Sequence, residues 1–269
     1  MLEIKDMSIT FNKGTVNEKK ALDNLSLTLQ DGDFVSVIGS NGAGKSTLLN
    51  GISGTCCCDN GKILLNGKEI QYVKEHKRAE MIGRLFQDPL KGTAPNMSIE
   101  ENLELAYRRG NEKKDIYHRF LKIGLKKQEK EAFKKKLAQL GLGLEERMNS
   151  KVGLLSGGQR QALTLLMATI NPPKLLLLDE HTAALDPKTA AKVMEITDTI
   201  IQENHITTLM ITHNIKQALQ YGNRMIVMCD GKILMEFTKE EKASMSIEDV
   251  MKVYASANVK DLSDKMLLD

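Results

Sequence analysis

Aromatic side chains are scarce in this sequence, whose 269 residues include no tryptophan, five tyrosines and six phenylalanines. Few of them interleave with the basic residues, and the net charge is only +3. Both features disfavour a protein that binds nucleic acid. The chain also lacks any run of about 18 apolar residues, which excludes a membrane-spanning helix. Its first residues lack the basic and apolar regions of a signal peptide, so we expect the protein in the cytoplasm.

Cysteine is also rare, with four residues in the whole chain. Cys56, Cys57 and Cys58 are consecutive, and Cys229 stands alone. Zinc ligands are usually two to four residues apart so that the chain can turn around the metal. We therefore expect free thiols in a reducing compartment, with a metal or redox role as the alternative.

Three short apolar runs, each followed by a helical pattern, predict a parallel α/β core. The runs cover residues 34–39, 175–179 and 207–212, and the helical patterns cover 45–53, 187–203 and 215–220. Continuous apolar runs are typical of buried parallel strands, and repeated strand–loop–helix units build parallel sheets. Two hairpins are also predicted, one pairing 62–65 with 69–72 and the other pairing 225–228 with 232–237.

The stretch between the first and second apolar runs predicts an inserted helical lobe. Ser98 and Glu101 have the spacing of a capping box that opens a helix. Residues 108–140 are helical in pattern and strongly basic. A solvated lysine-rich face is the default interpretation, and contact with an anionic membrane leaflet is the alternative. Near the C-terminus, a small helix is predicted at 246–254.

A phosphate-binding loop follows the first apolar run. The sequence Gly39, Ser40, Asn41, Gly42, Ala43, Gly44, Lys45, Ser46, Thr47 matches the pattern GxxxxGK[ST] between a strand and a helix. In such a loop, backbone N–H groups and the helix N-terminus bind phosphate. We expect Lys45 to reach the β- and γ-phosphates of ATP and Ser46 to bind Mg²⁺.

Two adjacent carboxylates end the second apolar run. Asp179 and Glu180 are placed at the carboxyl edge of the sheet, where ligands of such folds bind. Successive side chains diverge, so the two acids can have different roles. We expect Asp179 to hold Mg²⁺ and Glu180 to polarise the water that attacks the γ-phosphate.

The segment LSGGQ at residues 155–159, between these two motifs, resembles the nucleotide-binding subunits of ATP-binding cassette (ABC) transporters. The resemblance covers about residues 1–237. It implies the ABC ATPase fold: a P-loop NTPase parallel-sheet core, an antiparallel β subdomain, and a helical subdomain inserted at about 88–160. Residues 238–269 would form a short C-terminal helical tail.

The resemblance also implies roles for residues outside the two motifs. Gln87 would contact Mg²⁺ or the attacking water, and His213 would contact the γ-phosphate. Asp186 belongs to the loop after Glu180, and Phe11 would stack on adenine. The signature residues Ser156, Gly157, Gly158 and Gln159 would face the phosphate loop of a second copy, so that a homodimer encloses ATP.

The sequence departs from the family pattern after the catalytic glutamate. His181 stands where the family usually has proline. We favour a small change in loop stiffness as its effect, and an approach to the γ-phosphate or to the second copy is the alternative.

Residues 14–19 and the phrases GRLFQDPLKGTAP at 83–95 and LDEHTAALDPKTA at 178–190 resemble a bacterial importer ATPase group. This resemblance implies a place at the inner face of the cell membrane. Its partners would be a polytopic permease and, indirectly, a lipid-anchored substrate-binding protein, with an amino acid such as tryptophan or tyrosine as cargo. The alternatives are the ATPase of an exporter and a soluble ABC protein without a transport role.

Overall fold

Strands and helices alternate along most of the chain in the computed structural model, which describes residues 1–109 and 127–256. The strands are β1 (Leu2–Phe11), β2 (Lys19–Leu29), β3 (Phe34–Gly39), β4 (Asn60–Leu65), β5 (Lys68–Glu69), β6 (Ile82–Leu85), β7 (Leu175–Asp179), β8 (Thr208–Ile211), β9 (Arg224–Cys229) and β10 (Lys232–Phe237). The helices are α1 (Lys45–Ser53), α2 (Glu75–Arg78), α3 (Ile99–Arg108), α4 (Lys127–Gln139), α5 (Gly157–Thr169), α6 (Pro187–Asn204), α7 (Ile215–Gln220), α8 (Lys239–Ser244) and α9 (Ile247–Ser256).

A six-stranded sheet has the order β10-β9-β3-β8-β7-β6. Strands β9, β3, β8 and β7 pair in parallel, and β10 pairs antiparallel with β9. All six residues of β3 are buried, as their continuous apolar pattern predicts for an inner parallel strand. The predicted parallel core and its edge hairpin are therefore confirmed.

A second sheet is antiparallel, with the order β2-β1-β4-β5. The hairpin predicted at 62–65 and 69–72 is present, but the second strand was placed wrongly, since β5 covers only Lys68–Glu69. The pairing stops early because the Gln71 side chain takes the place of a backbone partner. Its Oε1 accepts a hydrogen bond of 3.1 Å from the backbone N–H of Ile63.

The chain divides into two compact units, of which the first comprises Met1–Arg84, Lys174–Glu180 and His205–Asp269. Its main core joins apolar residues of both sheets with one face of α1, including Leu48, Leu49 and Ile52. A smaller core holds α9 through the fully buried side chains of Val250 and Tyr254. The helix expected near 246–254 is therefore present, and α8 before it was not predicted.

The second unit comprises Leu85–Pro173 and His181–Asn204. The capping box predicted for α3 is present, since Ser98 Oγ accepts from the N–H of Glu101 and Glu101 Oε2 accepts from the N–H of Ser98. Helix α4 buries Phe133 and Leu137 and exposes most of its lysines. Residues 110–126 of the basic stretch lie outside the described residues. Within the described ranges, no helix is both long and apolar enough to cross a bilayer.

Candidate functional site

The phosphate-loop motif forms a tight turn between β3 and α1. Gly44 has a φ of 99°, and a Cβ at this position would lie 2.6 Å from the carbonyl oxygen of Ala21. Only glycine fits such a conformation and such a close approach. No side chain caps the start of α1, and its first turn contains no acid. The backbone N–H groups there are thus directed at the loop, as anion binding at a helix N-terminus requires.

The Lys45 side chain lies inside this turn. Its Nζ donates hydrogen bonds to the carbonyl oxygens of Gly39 (2.6 Å) and Ser40 (3.0 Å). Burial lowers the pKa of Lys45, and the carboxylates of Glu180 and Asp179 act in the opposite direction. The loop therefore holds an ammonium group between its own carbonyls and the two acids at the end of β7.

Ser46 and Asp179 bring a hydroxyl and a carboxylate together at the sheet edge. Ser46 Oγ lies 3.4 Å from Asp179 Oδ1. Burial raises the pKa of Asp179, and the nearby Arg84 guanidinium lowers it. Among the described residues, no cluster of three or more His, Cys, Asp or Glu could form an all-protein metal cage. One hydroxyl beside one carboxylate does fit Mg²⁺, which is usually bound by few protein oxygens together with substrate phosphates.

Glu180 and His213 face each other beside the loop. His213 Nε2 lies 2.5 Å from Glu180 Oε1, and both side chains are largely buried. The backbone N–H of Glu180 donates to the carbonyl oxygen of Ile211 at 3.1 Å, which ties the end of β7 to β8. Glu180 has a φ of 47°, in the left-handed region that non-glycine residues rarely adopt. Such strain is typical of residues whose side chain must point in one functional direction.

Most of the predicted site residues of the first unit, though not Gly39, Ser40 or Asp179, line one cavity of about 240 Å³. Its lining consists of Phe11, Lys19, Ala21, Asn41, Gly42, Ala43, Gly44, Lys45, Ser46, Thr47, Glu180 and His213. The ring of Phe11 is 40% exposed, so one face is available to a ligand. The structure therefore brings together an aromatic ring, a phosphate loop, a carboxylate and an imidazole.

The signature residues lie at the start of α5 in the second unit. Ser156 caps this helix, with its Oγ accepting from the N–H of Gln159, and Gln159 Oε1 accepts from the N–H of Ser156. This capping box uses the Ser156 hydroxyl as an acceptor, so its O–H is still available as a donor. Ser156 and Gly157 are exposed, and Gly158 is buried. Such an exposed helix start is suited to an anion from outside the chain.

Three further residues of interest belong to the second unit. Gln87 is exposed. Asp186 caps α6 through an Oδ1 contact of 3.1 Å with the N–H of Thr189. His181 is buried, and its Nε2 lies 3.2 Å from Thr197 Oγ1. This hydrogen bond within its own unit supports the structural interpretation of His181.

Two residues near the nucleotide cavity were missed from the sequence. Lys19 lines the cavity, and Arg84 Nη2 lies 3.7 Å from Asp179 Oδ2. Neither was assigned a role from the sequence, and β2, which begins at Lys19, was not predicted. The position of Lys19 beside the phosphate loop could have been predicted only from the correct strand pairing.

Comparison with known proteins supports the family resemblance found in the sequence. A sequence model of the family described as ABC transporter matches residues 22–183. The tyrosine transport ATP-binding protein of Clostridioides difficile (strain R20291) is 44% identical over 96% of this chain and 100% of that protein. The ABC transporter ATP-binding protein YxdL of Bacillus subtilis (strain 168) is 33% identical over 99% of both chains.

Solved structures agree in fold. The ATP-binding cassette MJ0796, a dimer in a post-hydrolysis state bound to ADP and Pi, has a TM-score of 0.72 at 28% identity. That match covers 89% of this chain and 99% of the other. The cassette MJ1267 in its ADP conformation has a TM-score of 0.74 at 28% identity over 95% and 98% of the chains. The chain therefore has the ABC ATPase cassette fold and belongs to the ABC transporter family as an ATP-binding, ATP-hydrolysing subunit.

Proposed function

We propose that two copies of this chain hydrolyse Mg²⁺-ATP to drive a separate permease that imports a small solute. The observation that carries the hydrolysis step is the Glu180–His213 pair, 2.5 Å apart in the same cavity as the phosphate loop. Such a cavity can align a water with a bound phosphate. Most of the catalytic effect would then come from positioning and electrostatic stabilisation.

Each residue of the cavity has a distinct proposed role. Phe11 stacks on adenine, and the N–H groups of Gly39, Ser40, Asn41, Gly42, Ala43, Gly44, Lys45, Ser46 and Thr47 surround the phosphates. Lys45 neutralises phosphate charge. Glu180 accepts the proton of the attacking water, and His213 holds the Glu180 carboxylate in place.

Ser46 and Asp179 would hold Mg²⁺, which supplies charge neutralisation at the phosphate oxygens. The 3.4 Å separation between their oxygens supports this assignment. Gln87 would complete the metal or water contacts. Its exposed position at the start of that unit also suits a contact with the permease.

A second copy would complete the ATP site. Ser156, Gly157, Gly158 and Gln159 of one copy would contact the γ-phosphate bound by the other, with Asp186 near the twofold axis. The exposed, capped helix start at Ser156 and the dimeric state of MJ0796 support this arrangement. The bounds of the helical subdomain, about 88–160, and of the C-terminal tail, 238–269, are part of the proposal.

The proposed cargo is an amino acid with an aromatic side chain. The support is the tyrosine transport ATP-binding protein, which is 44% identical over its full length. We place the dimer at the cytoplasmic face of the cell membrane, beneath a polytopic permease that receives solute from a binding protein. No nucleic-acid partner is part of the proposal.

The catalytic proposal is tested with Glu180→Gln. We expect the variant to bind ATP like the parent and to lose phosphate release by about a hundredfold or more, because the amide cannot accept the proton. Glu203→Gln, an exposed carboxylate at the end of α6, is the matched control and should hydrolyse at the parent rate. Phosphate release by Glu180→Gln at the parent rate would refute the role of Glu180.

The same variant tests the cargo. A strain that lacks the chromosomal copy is complemented with the parent or with Glu180→Gln, and uptake of labelled tyrosine is compared with uptake of labelled lysine. We expect only the parent to restore tyrosine uptake and neither to alter lysine uptake. If the deletion strain takes up tyrosine equally well with the parent gene, with the variant gene and with neither, the cargo assignment is wrong. The ATPase assignment is not affected by that result.

A further inference from the structure

Arg84 connects the two elements that carry the proposed Mg²⁺ ligands. It lies on β6, the neighbour of β7 in the six-stranded sheet. Its Nη2 donates to Asn50 Oδ1 at 2.6 Å and lies 3.7 Å from Asp179 Oδ2. Its Nη1 donates to Ser53 Oγ at 2.9 Å and to Thr55 Oγ1 at 3.2 Å. One guanidinium therefore joins the C-terminal end of α1 to the carboxylate at the end of β7.

The geometry of Asp179 makes this connection functionally relevant. Oδ2 faces Arg84, and Oδ1 faces Ser46 at 3.4 Å. Ser46 belongs to the first turn of α1, the same helix whose last turn bonds to Arg84. The rigid helix transmits the position of its C-terminal end to its N-terminal end. Arg84 thus contacts one ligand directly and is linked to the other through the part of α1 between Ser46 and Ser53.

The electrostatic environment of Arg84 also favours a role in orienting Asp179. The Arg84 side chain is 13% exposed and the Asp179 side chain 16%. Burial lowers the pKa of Arg84, and Asp179 is the largest influence in the opposite direction. A guanidinium in such a site presents several donors in a fixed plane, so it restricts a carboxylate more than a lysine could. The ion pair with Arg84, at 3.7 Å, therefore favours one orientation of the carboxylate before any cation arrives.

We propose that Arg84 is a positioning residue that preorganises Ser46 and Asp179 to hold a divalent cation with ATP. The inference rests on the proposed function, because it concerns the same Mg²⁺ site. It adds a residue that was assigned no role from the sequence. In this role Arg84 touches neither nucleotide nor metal, and its effect reaches them through Asp179 and α1. Outer partners of this kind commonly change metal affinity by tenfold or more when they are removed.

Binding of Mn²⁺ in the presence of a non-hydrolysable ATP analogue tests the proposal without turnover. The loss of the free Mn²⁺ signal in electron paramagnetic resonance gives its affinity for the protein–nucleotide complex. Fluorescence of a labelled nucleotide in EDTA gives the affinity without metal. For Arg84→Met we expect about a tenfold weaker Mn²⁺ affinity. The nucleotide affinity in EDTA should equal that of the parent.

Arg78→Met is the matched control for a purely structural effect. Arg78 is also a buried arginine that contacts the end of α1, through the carbonyl oxygens of Gly51 and Ile52 at 2.8 Å each. Its other hydrogen bonds among the described residues go to the carbonyls of Gln71 and Val73. Because the hydrogen bonds of Arg78 go to backbone carbonyls and not to Asp179, we expect Arg78→Met to lower thermal stability and to weaken Mn²⁺ affinity less than Arg84→Met does. Equal loss of Mn²⁺ affinity in both arginine variants would overturn the proposal.

Asn50→Ala keeps the proposal testable if Arg84→Met does not fold. It removes one hydrogen-bond partner of Arg84 and leaves the guanidinium and Asp179 in place. A weakened Mn²⁺ affinity in this variant supports the proposal, and a parent-like affinity in both Asn50→Ala and any folded Arg84→Met overturns it. If the parent itself shows no nucleotide-dependent Mn²⁺ binding, the proposed metal site fails instead, so the two failures are distinguishable.

Discussion

At the scale of single residues, His181 is an uncharged histidine in the interior of the second unit. The hydroxyl of Thr197 donates to the carbonyl oxygen of Val193 at 2.8 Å. It therefore accepts from His181 Nε2, 3.2 Å away, which assigns the proton to Nε2. Burial lowers the pKa of His181 to about 4. Protonation of the buried ring would add a second N–H that needs a hydrogen-bond acceptor. It would also create a positive charge that water does not solvate.

This shifted pKa predicts a loss of stability in mild acid. Between about pH 6.5 and pH 4, the unfolded chain binds a proton at His181 that the folded chain does not. The free energy of unfolding should therefore fall as the pH falls, by about 2 kcal/mol between pH 7 and pH 5 from this residue. Urea titrations of the parent and of His181→Asn at both pH values measure the contribution, which the variant should lack.

His205→Asn is the matched control for this prediction. His205 is exposed and has a φ of 50°, a conformation that asparagine tolerates. We expect this variant to retain the pH dependence of the parent. Equal pH dependence in His181→Asn and the parent would show that His181 is not responsible.

At the scale of elements, α5 and α6 are in close contact at Gly158. A Cβ on Gly158 would lie 2.1 Å from Thr189 Cγ2, which no ordinary contact allows. At the neighbouring Gly157, a Cβ would lie 3.2 Å from Leu185 Cδ2, the end of a flexible side chain. The second glycine of the signature thus has a packing role in addition to its proposed contact with phosphate.

This close packing predicts that Gly158→Ala destabilises the protein by about 2 kcal/mol through overpacking. Adding Thr189→Ser removes the methyl group that collides, so the double variant should regain most of the loss. Gly157→Ala should cost less. Thermal unfolding of the three variants and the parent gives the comparison, and a double variant no more stable than Gly158→Ala would contradict the assigned collision.

Elements tied to a motif could be predicted from the sequence to the residue. The bounds of α1 and α7 match the prediction, because a phosphate loop and an Asn214 cap fix where these helices begin. Strand β8 is shorter than predicted by one residue at each end, and β5 ends early because Gln71 replaces a backbone partner. A side chain that replaces a backbone hydrogen-bond partner leaves no periodic pattern in the sequence.

The candidate site was also predictable only in part, because some of its residues leave no pattern in the sequence. The residues proposed to contact phosphate occur in short, contiguous patterns, and the residues proposed to support them do not. Arg84 is a single charge in an apolar strand, and its partners Asn50 and Asp179 are distant from it in sequence. The pairing of β6 with β7 brings Arg84 to Asp179, and the packing of α1 brings Asn50 to the same guanidinium.

At the scale of the whole molecule, the proposed dimer depends on the exposed start of α5. In the Glu180→Gln background we expect ATP to produce a particle of twice the mass of one chain, measured by light scattering after gel filtration. Adding Ser156→Arg should abolish this dimer and preserve ATP binding by the single chain, because the bulky cation obstructs the shared phosphate.

Ser98→Arg is the matched control for the dimer. It destroys an equivalent capping box at the start of a different helix, α3. The cost in helix stability is about 1 kcal/mol in both cases, but only Ser156→Arg should affect assembly. A dimer that survives Ser156→Arg would contradict the composite site.

The left-handed backbone of Glu180 also bears on how this position can evolve. Glycine or asparagine would relieve about 1 kcal/mol of strain there. Mutational drift under selection for stability alone would therefore move the position away from glutamate, and each such step would remove the carboxylate. A descendant of this chain that no longer needed turnover would be expected to lose Glu180 early, while glycines that serve packing would persist. Under the proposed role of Glu180, the residue at this position records whether a lineage still hydrolyses ATP.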